Sequence, residues 1–203
     1  MKYTISKSFP NILSIFLNIE DKIMCNPENI LSISESLIMK YESQEKTSNL
    51  KKFFHGNKLK YTYIYNNSDD PNESGTIQII PNLKFNNLGF VELDEKYILF
   101  DSNRLIACSQ YIVLNENKKN KKPLEIDGYG TIFLNCYGKL LVNHPTKTGQ
   151  TIIQDKALLG FKCGSQYERL NPYQGLSASL SNIDVLFYKL LSGVFILDNR
   201  FCS

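Results

Sequence analysis

Gly130-Thr131-Ile132-Phe133-Leu134-Asn135 is the stretch that decides the fold, because the chain writes it three times. An earlier copy is Gly75-Thr76-Ile77-Gln78-Ile79-Ile80, and a later one is Gly193-Val194-Phe195-Ile196-Leu197-Asp198. A self-similar period of roughly 60 residues marks one supersecondary unit copied in tandem. A second element recurs ahead of each copy: Ile30-Leu31-Ser32-Ile33, Leu105-Ile106-Ala107-Cys108 and Leu158-Leu159-Gly160-Phe161. Each of these runs follows a strand-like stretch, at Leu13 to Cys25, Val91 to Phe100 and Gly149 to Asp155. The order is the same every time, and the spacers differ in length as surface loops do.

The remaining signals also favour strands. Aromatic residues make up 12% of the chain, all Tyr and Phe, and β-branched residues are frequent. Leu59, Tyr61, Tyr63 and Tyr65 alternate with other residues as one face of a strand does. The polar turn from Asn66 to Asn72 then leads to Gly75, which reads as a hairpin. Leu124 to Asp127 followed by Gly128-Tyr129-Gly130 reads as a tighter hairpin, and Val185 to Leu190 with Ser192-Gly193 as a third. Helical signal is scarce. Thr47 or Ser48 can cap a short helix carrying Leu50, Phe53 and Phe54, and Leu176 to Leu180 is a weaker parallel. The expected fold is therefore all-β, a tandem repeat of three similar units with one or two short helices. The expected organisation is one compact domain over 1–203, with approximate repeats 1–85, 86–140 and 141–203 and no interdomain linker.

Composition bounds the function classes. The net charge of +3 demands no polyanionic partner. Cys25, Cys108, Cys136, Cys163 and Cys202 are odd in number and widely spaced without a CxxC, which argues against a zinc ribbon or a disulfide framework. No run of about 18 uncharged apolar residues is present, so no transmembrane helix is expected. Met1 to Ile19 has a superficial likeness to a targeting segment, but Leu13 to Ile19 with Glu20-Asp21 reads better as the first strand and turn of the first repeat.

The Gly75-led strand, Val91-Glu92-Leu93-Asp94-Glu95, Leu105 to Cys108, Gly128 to Leu134 and Gly138 together resemble a known family. They are similar to the Altered Inheritance of Mitochondria proteins, number twenty-four of that series, and their bacterial relatives. The resemblance spans roughly residues 3 to 200 and rests on order and spacing, not on one specific motif. It implies tandem β-sandwich units on the fold of the trp RNA-binding attenuation protein, often oligomeric, and a link to inner-membrane organisation in mitochondrial members. It implies no catalytic residues and supplies none to carry over. The chain departs from the family pattern in being poor in glycine. Asn18-Ile19-Glu20-Asp21-Lys22 stands where a Pro-Gly-Glu turn is common, and Ser192-Gly193 replaces a fuller Gly-x-Gly.

Candidate sites are few. Only His55 and His144 could serve as imidazole ligands, so no metal or other cofactor is expected. Cys136 and Cys163 could act as nucleophiles only with a nearby base, which nothing in the sequence indicates. Gly128-Tyr129-Gly130 lacks the following helix that a phosphate loop needs. The pairs Glu20-Asp21, Asp69-Asp70 and Asp94-Glu95 read as solvated turn charge. Lys118, Lys119, Lys121 and Lys122 form the one tight basic cluster, a candidate contact for an anion or a membrane surface. Lys51, Lys52, Lys58 and Lys60 near Tyr61 and Tyr63 form a looser one, on which RNA binding is disfavoured but remains the rival. The expectation is a non-enzymatic structural or interaction protein that supports a membrane-associated assembly; the alternative is an RNA- or ligand-binding module on the same fold. Expected partners are further copies of the chain, a trimer being one closure, together with an unidentified protein and a peripheral membrane contact. The expected compartment is the cytoplasm, with the mitochondrion as the alternative.

Overall fold

The computed structural model describes the chain apart from residues 9, 41–60, 71, 83, 86, 116–122, 147–150, 171–185 and 202–203. The described residues form nineteen strands and a few 3-10 turns, with no α-helix among them. Both expected short helices fall on residues outside the described ones.

After an N-terminal strand β1 (Lys2–Ile5), one six-strand plan repeats three times. The first unit holds β2 (Leu13–Leu17), β3 (Lys22–Cys25), β4 (Ile30–Ile33), β5 (Leu37–Lys40), β6 (Thr62–Asn66) and β7 (Gly75–Ile79). The second holds β8 (Asn87–Leu93), β9 (Tyr97–Leu99), β10 (Leu105–Ser109), β11 (Ile112–Asn115), β12 (Leu124–Gly128) and β13 (Gly130–Cys136). The third holds β14 (Leu140–Asn143), β15 (Thr151–Gln154), β16 (Leu158–Lys162), β17 (Gln166–Leu170), β18 (Phe187–Ser192) and β19 (Phe195–Asp198). In each unit a 3-10 turn joins the second strand to the third: Pro27–Asn29, Ser102–Arg104 and Asp155–Ala157.

The Gly-led strand pairs with the first and third strands of its own unit, and the fifth strand pairs with the second and fourth. Each unit is thus a small sandwich of two three-stranded sheets. The turns before Gly75, Gly130 and Gly193 are therefore not hairpins, as their alternation suggested. They carry the chain from one sheet of the sandwich to the other. Alternating side chains look the same in both cases, because the period reports only that a strand has one buried face. The true hairpins join the fourth and fifth strands.

The recurrent glycine has a shared neighbour. Thr76, Thr131 and Val194, each one residue past the glycine, donate their backbone N–H to Ser34 Oγ, Ser109 Oγ and Ser165 Oγ at 2.9, 3.0 and 3.0 Å. Gly130 and Gly193 also sit at φ +136° and +109°, where a side chain is strained. The third strand carries a register shift at the same place in every unit, after Ile30, Leu105 and Leu158.

Units join edge to edge. β3 pairs antiparallel with β10, and β9 pairs antiparallel with β16. Two six-stranded sheets result, β5-β6-β3-β10-β13-β8 and β11-β12-β9-β16-β19-β14, flanked by the shorter sheets β1-β2-β7-β4 and β15-β18-β17. Each long sheet belongs to two sandwiches, and its strands β10 and β13, or β16 and β19, are buried on both faces. On β13, Ile132 and Leu134 pack into the second unit's core while Phe133 packs into the first unit's core. The interlocking explains why every residue from Thr131 to Cys136 is buried.

Candidate interaction surface

The sequence-derived candidates scatter. Lys118, Lys119, Lys121 and Lys122 lie outside the described residues, as do His55 and Cys202. His144 is exposed. Cys25, Cys108 and Cys136 are buried free thiols. Burial pushes Cys25 and Cys136 up to about 12, and pushes Cys108 up further in the same direction. A thiol so placed stays protonated and is a poor nucleophile. Asp94 and Glu95 both reach Lys162 Nζ, at 2.7 and 3.3 Å, so this pair ties a turn of the second unit to the third. The hydrogen bond from Lys162 holds the Asp94 carboxyl below its ordinary value. Asp21 accepts from the Met1 amine at 2.9 Å. Asp70 accepts from the N–H of Asn72 in its own turn. Among the described residues no group of three or more His, Cys, Asp or Glu could hold a metal ion. No helix among them is long and apolar enough to cross a membrane.

What the structure does concentrate is a set of contacts between successive units, repeated at both internal junctions. At the first, Met24 on β3 reaches into the second unit's core and is 1% exposed. At the second, Ile98 on β9 packs in the same way against the third unit's core. Facing them, Ile106 and Leu159 point back into the preceding unit at 0% and 4% exposure. The carbonyls of these two residues accept from the backbone N–H of Asn26 and Phe100, at 2.8 and 2.9 Å.

A polar contact repeats beside this. The sixth residue of the Gly-led stretch in one unit holds the turn that follows the same stretch in the unit before. Asn135 Oδ1 accepts from the N–H of Asn82 at 3.0 Å. Asp198 accepts from the N–H groups of Tyr137 and Gly138 at 2.7 and 2.8 Å. Asp198 is fully buried and also pairs with Arg104, which is only 8% exposed, at 3.3 Å. The Arg104 guanidinium lies between the Phe85 and Tyr137 rings, 4.4 and 4.8 Å from their centroids. This cluster was not anticipated from the sequence. Its signal was a polar residue closing an otherwise apolar strand in the second and third copies, where the first copy has Ile80.

The two ends of the array lack these contacts. β4 and β15 each lie at the edge of a sheet with one face of hydrogen-bonding groups unpaired by any described strand. Leu31, which occupies the position of Ile106 and Leu159, is 51% exposed. Ile152, which occupies the position of Met24 and Ile98, is 57% exposed. Open clefts lie among the described residues, one of about 200 Å3 at the second junction between Phe100, Arg104 and Lys156 and one of about 470 Å3 between Lys22, Tyr63 and Tyr111.

These observations define an all-β protein made of three interlocked sandwiches, in which β4 and β15 lie at open edges while the matching strands of the other units are paired across the junctions. The chain belongs to the AIM24 family, described as mitochondrial biogenesis AIM24, whose family model matches residues 3–193. No curated protein matches it. Among solved structures it is similar to a Streptococcus pyogenes protein determined by X-ray crystallography. That likeness has a TM-score of 0.68 at 13% identity, and it covers 97% of this chain and 92% of the other. At that identity the likeness speaks for the fold alone.

Proposed function

We propose that this protein is a non-enzymatic scaffold that assembles with copies of itself and supports a membrane-associated assembly from its surface. The observation that carries this reading is that, of the eight described sheet-edge strands, β4 and β15 are the ones whose counterparts in the other units are paired across a junction, and each bears an exposed apolar residue. Open edges template pairing with another chain unless they are covered. The protonated, buried thiols and the scattered carboxylates speak against a reaction centre in the described residues. Family membership favours a mitochondrial setting over a cytoplasmic one. A membrane contact through Lys118, Lys119, Lys121 and Lys122 would be electrostatic and peripheral.

Light scattering tests the assembly: a mass well above one chain at tens of micromolar supports it, and a monomer refutes it. Flotation with anionic vesicles tests the membrane contact. Changing the four lysines to glutamate, or adding salt to the unchanged protein, is expected to release it. Equal flotation of both proteins overturns the electrostatic contact. Tight single-stranded RNA binding at physiological salt would replace the scaffold reading with the RNA-binding one.

A further inference from the structure

We infer that the β15 edge of one copy takes the β4 edge of a second copy, antiparallel, with Ile153 opposite Ser32, Ile152 opposite Ile33 and Thr151 opposite Ser34. This rests on the scaffold reading and specifies its partner and geometry. The chain itself supplies the template twice. In both internal junctions the second strand of one unit pairs with the third strand of the next. Cys25 faces Ala107, Met24 faces Cys108 and Ile23 faces Ser109. In the next junction Leu99 faces Gly160, Ile98 faces Phe161 and Tyr97 faces Lys162. β15 is the second strand of the last unit, and β4 is the third strand of the first. Within one chain they stay in separate sheets.

Carrying the register forward places Leu31 and Ile152 where their equivalents are buried or, for Ile98, partly buried. Leu31 would turn into the third unit's core side as Ile106 and Leu159 turn into theirs. Ile152 would enter the first unit of the second copy as Met24 enters the second unit. The N–H of Gln154 would donate to the Leu31 carbonyl, as Asn26 and Phe100 donate to Ile106 and Leu159. One contact would be missing. Ile80 stands where Asn135 and Asp198 reach back to the preceding turn, so the seam between copies lacks that polar tie. The seam is therefore the weakest junction of the assembly. Such head-to-tail contact closes into a ring or runs on as a filament.

The test uses full-length chains with Cys163 and Cys202 changed to serine. Two single variants are mixed in each reaction, so that a disulfide can form only between copies. Ile152→Cys with Ile33→Cys, and Thr151→Cys with Ser34→Cys, place opposite Cα atoms within bonding range; at least one of these pairs is expected to cross-link about tenfold faster than the out-of-register mixture of Thr151→Cys with Ile33→Cys. Ile152→Lys is expected to lower the scattering mass to one chain while leaving the melting temperature of the single chain unchanged. Cross-linking without register preference, or a full mass for Ile152→Lys, overturns the pairing while an oligomer still supports the scaffold. A monomeric parent protein overturns both.

Discussion

Asp198→Asn removes one charge and one acceptor from a fully buried carboxylate with almost no change of volume. Asp198 is 0% exposed and receives Tyr137 N–H, Gly138 N–H and the Arg104 guanidinium. The amide nitrogen of the new Asn must face one of these donors, and a buried donor left without an acceptor costs about 1–3 kcal/mol. Arg104 would keep its charge at 8% exposure, with Asp101 the other anion, 3.7 Å from its Nε and half exposed. Breaking a buried pair from one side costs about 3–5 kcal/mol. The two costs share the same atoms and do not add. We therefore expect a loss of about 3–5 kcal/mol, or a fall of about 10 °C in Tm for a chain of this size. Calorimetry and urea unfolding followed by two probes measure it. Hydrogen exchange is expected to rise first at Tyr137 and Gly138. Arg104→Met in the same background is expected to recover part of the loss, since the stranded cation is then gone. A fall below about 3 °C, or losses that simply add in the double variant, would refute the assignment of Asp198 and Arg104 as one coupled pair.

Three further outcomes follow from the repeat. Ile98→Asp is expected to destabilise the chain by about 2–4 kcal/mol, while Ile152→Asp at the equivalent end position changes single-chain stability by less than about 0.5 kcal/mol; chemical denaturation of dilute protein compares them. Gly130→Ala is expected to cost more than Gly164→Ala, because both sit at positive φ but a Cβ at Gly130 would meet Ser109 Oγ whereas Gly164 has nothing within 4 Å; adding Ser109→Ala should return part of the difference in Tm. Cys163 is expected to react with a thiol reagent in the native protein, while Cys25, Cys108 and Cys136 stay silent until unfolding. Because Cys25 and Cys136 are raised from 9.0 to about 12, the fold binds their protons more tightly than the unfolded chain does; stability is then expected to fall as pH rises from about 9 towards 12 in alkaline unfolding.

The strands and their threefold recurrence were legible because a half-buried strand must alternate, and a copied unit copies its alternation. Gly75, Gly130 and Gly193 stood out for the same reason. Their serine partners did not, because Ser34, Ser109 and Ser165 sit at unequal distances ahead of the glycines, across loops of different length. Sheet membership was also hidden. Gly128-Tyr129-Gly130 reads as a hairpin in the sequence, and only the pairing of the following strand with β8 and β10 makes it a corner. Continuous burial from Thr131 to Cys136 had a visible cause, since an apolar run without alternation indicates a strand covered on both sides. The basic cluster at Lys118 to Lys122 was legible as charge but falls on residues outside the described ones.

The departures from the repeat carry more about interaction than the repeat does. A solenoid of identical units needs its terminal units to differ, because each end presents a face that its neighbours bury. Here one position departs from the other units: Ile80 stands where they carry Asn135 and Asp198. Leu31 and Ile152 have not changed. Both remain aliphatic, and both edges lack a proline that would block pairing. An end built to stop would carry charge or proline at these places. Leu31 and Ile152 instead keep the chemistry of the buried positions they match, although each is more than half exposed. Exposing a large aliphatic side chain forgoes about 1.5–3 kcal/mol relative to burying it. On the pairing inferred above, each of these two residues would be covered by another copy of this chain, against the contacts that its equivalents use inside the array.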